Sequence, residues 1–208
     1  AHPFENRDER LLATVLMNGV LFKGKRVATY PGGADAMPNP NATKTGYYLR
    51  KFLNENVNIQ TGGGSDGHVV PLFRLAEIYL NYAEALNEYD PTNPDIAVYL
   101  NKIRERVSLP DVPSGLTQEQ MRTLIHHERR VELAFEEHRF WDVRRWKVAS
   151  STLGAPVKGV KITQDDAGNF TYSPVQVEQR VFQPKMYWYP IPQSEVLKLH
   201  HWEQNKGW

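Results

Sequence analysis

The sequence has no cysteine, no excess of either charge and no long apolar run, and each of these absences excludes a class of protein. Without cysteine, the chain can form neither a disulfide scaffold nor a thiolate metal site. Its 25 Lys and Arg residues nearly equal its 24 Asp and Glu residues, so no net charge attracts nucleic acid or an anionic membrane. No apolar run reaches the roughly 18 residues of a membrane-spanning helix. With 208 residues, of which 40 % are hydrophobic, the chain is long enough to bury a core.

The chain opens with AHPFENRDERLL, which contains neither an initiator Met nor a basic and apolar secretion signal. Such a start is compatible with a cytosolic protein, or with a mature or excised piece of something longer. The opening residues favour the second origin, and we expect the chain to be part of a longer protein.

Residues 1–70 carry the signals of loops and short strands. LLATVLMNGVLF (11–22) is apolar around an Asn-Gly turn signal and predicts two short strands. The segment 29–48 is dense in Gly, Pro and Asn and predicts no regular element, and TGGGSDGH (61–68) is a second flexible stretch. Long loops in a compact domain often carry function, so we expect candidate ligand loops here.

Residues 71–149 predict a helical frame of three helical regions. Apolar residues recur at steps of three and four over 72–89, with Pro71 suited to the first turn. Asn93 and Pro94 predict the N-cap and first position of a second helix. Thr117 and Gln120 form a capping-box pattern that opens a third region, reaching to about residue 148. Two helices joined by a short turn and followed by a third are typical of a helical repeat.

Residues 150–208 change pattern again. VKITQDDAGNFTY (160–172) predicts a β-hairpin around its Asp, Gly and Asn residues. YWYPIPQSEVLKLHHW (187–202) predicts a short helix, and EQNKGW (203–208) is a tail. We expect the three segments to form one domain, mainly α, with a tetratricopeptide-like frame, long loops and a small C-terminal hairpin.

The stretch ERRVELAFEEHRFWDVRRW (128–146) combines many charges with aromatic side chains. On a helix, Glu128, Glu132 and Glu136 form an acidic row, which costs a few tenths of a kcal/mol per pair. Apolar residues on the same broad face predict that Glu128 and Asp142 are partly buried, and buried carboxylates must be paired. We therefore predict an Arg–carboxylate lattice between helices, with these arginines as donors: Arg74, Arg104, Arg106 and Arg139.

The same stretch lacks the spacing of known metal and nucleic-acid sites. A zinc peptidase needs H-E-x-x-H, but His127 and Glu128 are followed by Arg-Arg-Val. A di-iron bundle needs a His three residues after a Glu, and none of the nearby histidines has that spacing. A nucleic-acid surface needs arginines that are not neutralised by acids. We predict no metal, no cofactor, no catalytic residue and no nucleic-acid partner.

Several motifs together resemble the C-terminal half of the SusD/RagB family. They are FRLAEIYLNYAEALNE (73–88), LNKIRERVSLP (100–110), the stretch 128–146, and YWYPIPQSEV with QNKGW (187–196 and 204–208), preceded by TKTGYYLRKF (43–52). At Glu137 the family commonly has Gly, which leaves a continuous or gently bent helix possible here. The family's lipoprotein signal and N-terminal helical half are absent from this sequence.

The resemblance implies a function as well as a fold. SusD-like proteins are outer-membrane lipoproteins on the extracellular face of Bacteroidetes, and tetratricopeptide-like helix pairs support their ligand loops. They bind glycans, in some cases peptides, act with a SusC-like TonB-dependent transporter in nutrient uptake, and are not enzymes. On this view the chain would be lipid-anchored through its missing N-terminal region.

The ligand site is then expected in the loops, because sugar rings pack on aromatic rings and sugar hydroxyls need polar partners. A competing interpretation is that Tyr47 and Tyr48 pack inward as strand residues and that the asparagines only form turns. The candidate ligand-binding residues are Tyr30, Asp35, Asn39, Tyr48, Asp66 and His68.

Two other functions remain open at this point. A glycoside hydrolase would need two carboxylates roughly 5 to 9.5 Å apart, with Asp35 and Asp66 as the available pair. A helical-repeat scaffold would instead bind a protein partner without a small ligand. In either case the three helical regions have more apolar surface than they can cover among themselves. We therefore expect the N-terminal half of the same protein, or a second copy, to cover it.

Overall fold

The computed structural model describes residues 3–57, 70–198 and 201–208. Over these residues the protein is mainly helical with three two-stranded sheets, so the predicted fold class is confirmed. Within the same residues, no helix combines the length and the apolar character needed to cross a membrane.

The segment before residue 57 is built from short elements, which are α1 (Arg10–Thr14), β1 (Val15–Leu16), β2 (Leu21–Phe22), β3 (Lys25–Arg26) and β4 (Tyr48–Leu49). β1 pairs antiparallel with β4, and β2 pairs antiparallel with β3. The turn between β2 and β3 contains Lys23 and Gly24, whose φ angles of 50° and 75° suit a two-residue hairpin.

The prediction of two short strands in residues 11–22 is confirmed by β1 and β2, but the first four residues of the segment, 11–14, are helical. They belong to α1, where the Asp8 carboxylate accepts the Arg10 amide at 2.9 Å and satisfies a free donor of the first turn. The Asn-Gly signal at Asn18 and Gly19 does not join a hairpin, because β1 and β2 pair with different strands.

The helical frame consists of α2 (Leu75–Tyr89), α3 (Asp95–Glu105) and α4 (Gln118–Glu132). The Thr117 hydroxyl accepts the Gln120 amide at 3.3 Å, and the Gln120 side chain accepts the Thr117 amide at 2.9 Å. The predicted capping box is therefore confirmed. The Asn93 side chain accepts the Asp95 amide at 3.1 Å, as its predicted capping role requires.

Helix α2 begins four residues after Pro71, which was expected in its first turn. The preceding Arg74 is extended, with φ −150° and ψ 163°. Its guanidinium reaches α4 and contacts Glu132 and Glu136. Proline's fixed φ suits both a helix start and an extended chain, and the ion pairs of Arg74 favour the extended form.

Helices α2, α3 and α4 enclose one apolar core, with Leu80, Ala83, Ile96, Leu100, Ile103, Val112, Ile125 and Leu133 buried in it. One side of α2 remains outside this core. Leu75, Ile78 and Tyr82 lie at helical spacing on that side and are 61 %, 50 % and 41 % exposed. These three residues define the α2 face.

The third helical region breaks shortly after Glu132, and α5 (His138–Arg145) and α6 (Ala149–Thr152) follow the break. Phe135 and Glu137 have φ angles of 62° and 66°. The expectation that a Glu at position 137 leaves the helix continuous or gently bent is therefore wrong. The break allows Asp142 on α5 to accept a hydrogen bond from Arg129 on α4 at 2.7 Å, and both side chains are buried.

The predicted hairpin is formed by β5 (Val157–Gln164) and β6 (Phe170–Glu178). It packs against loop 29–48, since the Val160 amide donates to the Thr45 carbonyl at 2.8 Å. A Cβ at Gly159 would lie 2.7 Å from the same carbonyl oxygen, so only glycine permits this approach. A 3-10 helix (Pro184–Tyr187) and the predicted short helix, α7 (Gln193–Val196), follow the hairpin.

The acidic row, formed by Glu128 and Glu132 of α4 and by Glu136 just after it, points inward and binds cations from other parts of the chain. We call these three glutamates and their partners the glutamate lattice. Glu128 contacts Arg10 and Arg104, Glu132 contacts Arg10, Arg74 and Arg106, and Glu136 contacts Arg74 and Lys51, at N–O distances of 2.5 to 3.0 Å.

The predicted pairing of these carboxylates to arginine is therefore confirmed. Asp142 likewise contacts Arg129 and Arg145. Among the predicted donors, Arg139 forms no ion pair with the residues that the structure describes. Arg10 and Lys51 take part instead, so the lattice joins the segment before residue 57 to the helical frame.

The lattice lowers the pKa of its carboxyl groups. Burial by itself would raise the pKa of Glu132, but hydrogen bonds from Arg74 and Arg10 outweigh burial and hold the pKa below its ordinary value of 4.5. Burial is likewise outweighed at Glu136, where Arg74 and Lys51 lower the pKa. Both carboxylates are therefore charged at neutral pH.

We expect the substitution Glu137→Gly to raise the free energy of unfolding by up to about 1.5 kcal/mol. Glycine relieves the left-handed strain of roughly 1 to 2 kcal/mol, less its own entropic cost of about 0.5 to 1 kcal/mol. Urea unfolding followed by circular dichroism measures the change. Thr123→Gly, at an exposed position inside α4, is the control and should destabilise the protein. A loss of stability in both variants would contradict the assigned strain.

We expect Glu132→Gln to lower the free energy of unfolding by about 3 kcal/mol at roughly neutral pH, because it removes one charge from a buried ion-pair cluster whose cations, Arg10, Arg74 and Arg106, stay charged. The lowered pKa values of Glu132 and Glu136 stabilise the fold above their unfolded values near 4.5, and this contribution is lost as the pH falls through the folded-state values. Urea unfolding at a series of pH values should show a shallower acid loss in the variant. The exposed Glu105→Gln is the control, and equal stability of all three proteins would exclude the lattice as a major term.

Candidate functional site

Loop 29–48 is held in shape by two of the residues that the sequence offered as ligand contacts. The Asp35 carboxylate accepts the Ala28 amide at 2.8 Å. The Asn39 side chain donates to two carbonyl groups of the same loop, both at 3.0 Å. These hydrogen bonds brace a segment that has no regular secondary structure of its own.

Tyr48 braces the same loop through its hydroxyl group. The hydroxyl donates to the Asp35 carbonyl at 2.7 Å and accepts the Thr43 amide at 3.1 Å. Tyr48 is also a residue of β4, paired with Leu16 of β1. The loop is therefore held both at its middle and at its end, which fixes the position of the residues next to them.

Five aromatic rings lie in a row from this loop to the hairpin, and we call this row the aromatic ribbon. Successive ring centroids are 5.1, 6.5, 5.5 and 6.0 Å apart. Such distances are typical of tilted and edge-to-face aromatic pairs. In order, the ribbon consists of Tyr30, Phe170, Tyr172, Phe4 and Tyr47.

Two cavities lie along the ribbon and share Phe4 in their walls. The larger, of about 930 Å³, lies between the chain start, β4 and α4 and contains Tyr47, Tyr48 and Phe135 in its walls. The smaller, of about 460 Å³, lies beside Phe170 and Tyr172 of β6. Both have the concave, largely apolar walls that are typical of small-ligand sites.

The polar groups around the larger cavity are mainly cationic. Arg7 and Arg130 form no ion pair with the described residues, and His127 also lines this cavity. Burial raises the pKa of Tyr47, so its hydroxyl stays protonated at neutral pH and can act as a hydrogen-bond donor. The cavity therefore combines aromatic faces with donors suited to sugar hydroxyl or carboxylate oxygens.

The structure brings together some of the sequence-predicted site residues. Tyr30 lies in the ribbon and Tyr48 lines the larger cavity. Asp35 and Asn39 support the loop through the hydrogen bonds described above. Asp66 and His68 lie outside the described residues.

The candidates taken from the sequence include only one of the five ribbon members, Tyr30, and omit Tyr47, Phe170, Tyr172 and Phe4. Phe170 and Tyr172 alternate along β6 and therefore share one face of the hairpin, a period-2 signal that was present in the sequence. Phe4 carries no such signal, because it lies in an irregular segment whose neighbours are far away in the chain.

The described residues contain no group of three or more His, Cys, Asp or Glu side chains that could hold a metal ion. The carboxylates of the glutamate lattice are instead surrounded by cations, which leaves their oxygens engaged in ion pairs. The site's chemistry is that of aromatic and hydrogen-bonding surfaces.

Two curated relatives and one solved structure show what the chain is similar to. It is 36 % identical over 126 residues to SusD-like protein P2 of Formosa agariphila, which covers 57 % of this chain and 24 % of the relative. It is 40 % identical over 106 residues to SusD-like protein P25 of the same organism, covering 49 % and 19 %. The crystal structure of a SusD-like protein from Bacteroides fragilis superposes with a TM-score of 0.85 at 31 % identity, over 99 % of this chain and 40 % of that one.

The chain therefore spans about a quarter or less of each curated relative and less than half of the B. fragilis protein. The similarity to that structure extends through the loops and the hairpin as well as the helices, because nearly the whole chain is superposed. The SusD family model matches residues 1–208, and the chain belongs to the SusD family.

Proposed function

We propose that this chain is the C-terminal half of a SusD-like nutrient-binding protein and that it binds a glycan along the aromatic ribbon. The observation that carries the proposal is the ribbon itself, which is bordered by two cavities and supported by a braced loop. Family membership supplies the substrate class, since SusD-like proteins bind glycans.

The physical basis is the amphipathic surface of a sugar ring. Its C–H groups pack on aromatic faces, while its hydroxyls exchange hydrogen bonds with polar groups beside those faces. Phe170 offers ring surface at the smaller cavity, where Arg26 is a donor, and the Tyr30 ring extends this surface from its contact with Phe170. Tyr47 and Phe4 offer ring surface at the larger cavity, where Arg7 and His127 are hydrogen-bond donors.

We propose no catalytic role for this surface. A glycosidase needs one carboxylate as acid and a second as base or nucleophile. The candidate pair of carboxylates is Asp35 and Asp66. One carboxylate oxygen of Asp35 accepts a hydrogen bond from the Ala28 amide, and Asp66 lies outside the described residues. The family resemblance also favours binding over turnover.

The cellular setting follows from the family and is likewise a proposal. We place the protein at the extracellular face of the outer membrane, lipid-anchored through a preceding region and acting with a SusC-like TonB-dependent transporter. The chain would then deliver bound glycan to the transporter.

The α2 face is proposed as the surface that the rest of the longer protein covers. Leu75, Ile78 and Tyr82 together expose a continuous apolar side of α2, with Leu72 and Phe73 also exposed just before it. Exposed apolar patches of this kind favour association. In the longer protein we assign this contact to the N-terminal half, and in the isolated chain to a second copy.

We expect Tyr30→Ala and Phe170→Ala each to weaken glycan binding about tenfold or more, which is roughly 1.4 kcal/mol. Affinity electrophoresis of the chain through gels containing starch, laminarin, xylan or mannan measures retention. Tyr89→Ala, at a 90 % exposed ring on the end of α2, is the control and should bind as the unmodified chain does. Melting temperatures of all variants check that they remain folded.

Retention that is equal in the ribbon variants and the control would place the glycan elsewhere. No retention by any of the four polysaccharides would contradict the proposal and favour the helical scaffold that binds a protein partner.

We expect the isolated chain to self-associate through the α2 face, with Ile78→Glu shifting it toward monomer because a charge cannot be buried unpaired in that contact. Light scattering coupled to size exclusion measures the mass. Val98→Glu, at a similarly exposed position on α3, is the control and should leave the mass unchanged. If the unmodified chain is monomeric, the expectation is wrong and the exposed α2 face does not drive self-association.

A further inference from the structure

Another cleft, separate from the two cavities along the ribbon, is formed by the 3-10 helix and the C-terminal residues. Its volume is about 770 Å³, and it is lined by Pro184, Lys185, Trp188, Asn205, Lys206 and Gly207. None of the ribbon residues lines it. The cleft is therefore separate from the glycan site proposed above.

The backbone on both sides of this cleft is braced by the neighbouring Trp208. The Trp208 indole N–H donates to the carbonyls of Lys185 and Trp188, at 3.1 and 3.0 Å. At Gly207 the φ of 92° and the 3.2 Å distance from a Cβ to the Lys185 side chain leave room only for glycine. The Trp188 side chain nevertheless remains 65 % exposed. An exposed ring on a braced backbone offers a contact surface for a ligand.

The charge of the cleft has one sign. Among the residues that the structure describes, its lining contains two lysines and no acidic residue. Lys185 lies with its ammonium 4.3 Å from the Trp208 ring centroid, and Lys147 lies with its ammonium 5.4 Å from the Trp188 centroid. Within the described part of the chain, neither these two lysines nor Lys206 forms an ion pair.

We propose that this cleft is a second saccharide site that binds an anionic sugar, one carrying a carboxylate or sulfate group. The Trp188 face packs against the C–H groups of the sugar ring. The ammonium groups of Lys185 and Lys206 bind the anion, because they are the cleft's free charges and a lysine ammonium is a strong partner for such oxygens. The aromatic ribbon is not needed for this contact, so the two sites are independent.

The test is calorimetric titration of the chain with two anionic probes, a galacturonic acid trimer and a sulfated carrageenan oligosaccharide. We expect at least one of them to bind, with an affinity that falls as salt is raised, because the contact is between charges. The methyl ester of the galacturonic acid trimer has the same backbone without the charge and should bind at least roughly tenfold more weakly than its acid, if the acid is the probe that binds.

Two variants and two matched controls assign the binding to the cleft. Trp188→Ala and the double variant Lys185→Met, Lys206→Met should each weaken anionic binding by about tenfold or more. Tyr89→Ala removes an exposed ring elsewhere, and Lys158→Met, Lys161→Met removes two exposed lysines of β5; neither should change it. Circular dichroism confirms that all variants are folded.

The proposal is overturned if neither anionic probe binds, if the methyl ester binds as tightly as its acid, or if the cleft variants bind as well as the controls. Phe170→Ala separates this site from the ribbon. It should leave anionic binding intact, while Trp188→Ala leaves retention by neutral polysaccharides intact, so each proposal can fail without the other.

Discussion

The contact between Arg10 and the two buried glutamates of α4 is the interaction on which the arrangement of this protein depends. Like charges four residues apart destabilise a helix, and burial of a carboxylate costs several kcal/mol more unless a cation accompanies it. Arg10 contacts Glu128 at 2.6 Å and Glu132 at 2.9 Å, and it is the first residue of α1 in the segment before residue 57. The acidic row can therefore be buried only if that segment packs against the helical frame.

The same constraint positions the candidate glycan site. Lys51 follows β4 and contacts Glu136, so the lattice holds the segment before residue 57 at both Arg10 and Lys51. The chain between them contains loop 29–48, which is braced internally by Asp35 and Tyr48 and packed against the hairpin at Thr45. The ion pairs of the glutamate lattice thus fix the position of an irregular loop, and through it the position of the aromatic ribbon.

The departures from the expected helices have related causes. Arg74 stays extended and delays α2 because its guanidinium is bound to the lattice. Glu137 takes a left-handed conformation without glycine's freedom because the break lets Asp142 reach Arg129. In both places a local preference worth about 1 to 2 kcal/mol is set against ion pairs to buried carboxylates, and the pairs prevail.

The sequence by itself determined the elements whose causes are local. The capping box of α4, the period of the apolar residues in α2 and α3, and the hairpin around residues 165–169 depend on residues within a few positions of one another, and each was predicted. The need to pair the acidic row was also determined, because it follows from spacing and burial. Only the tertiary structure decided which cations pair with the acidic row, where Arg10 takes part and Arg139 does not. It also decided which aromatic rings come into contact. Phe4, Tyr47 and Tyr172 come from three distant segments, and their contact depends on how the chain start, the loop and the hairpin pack, which no local pattern encodes.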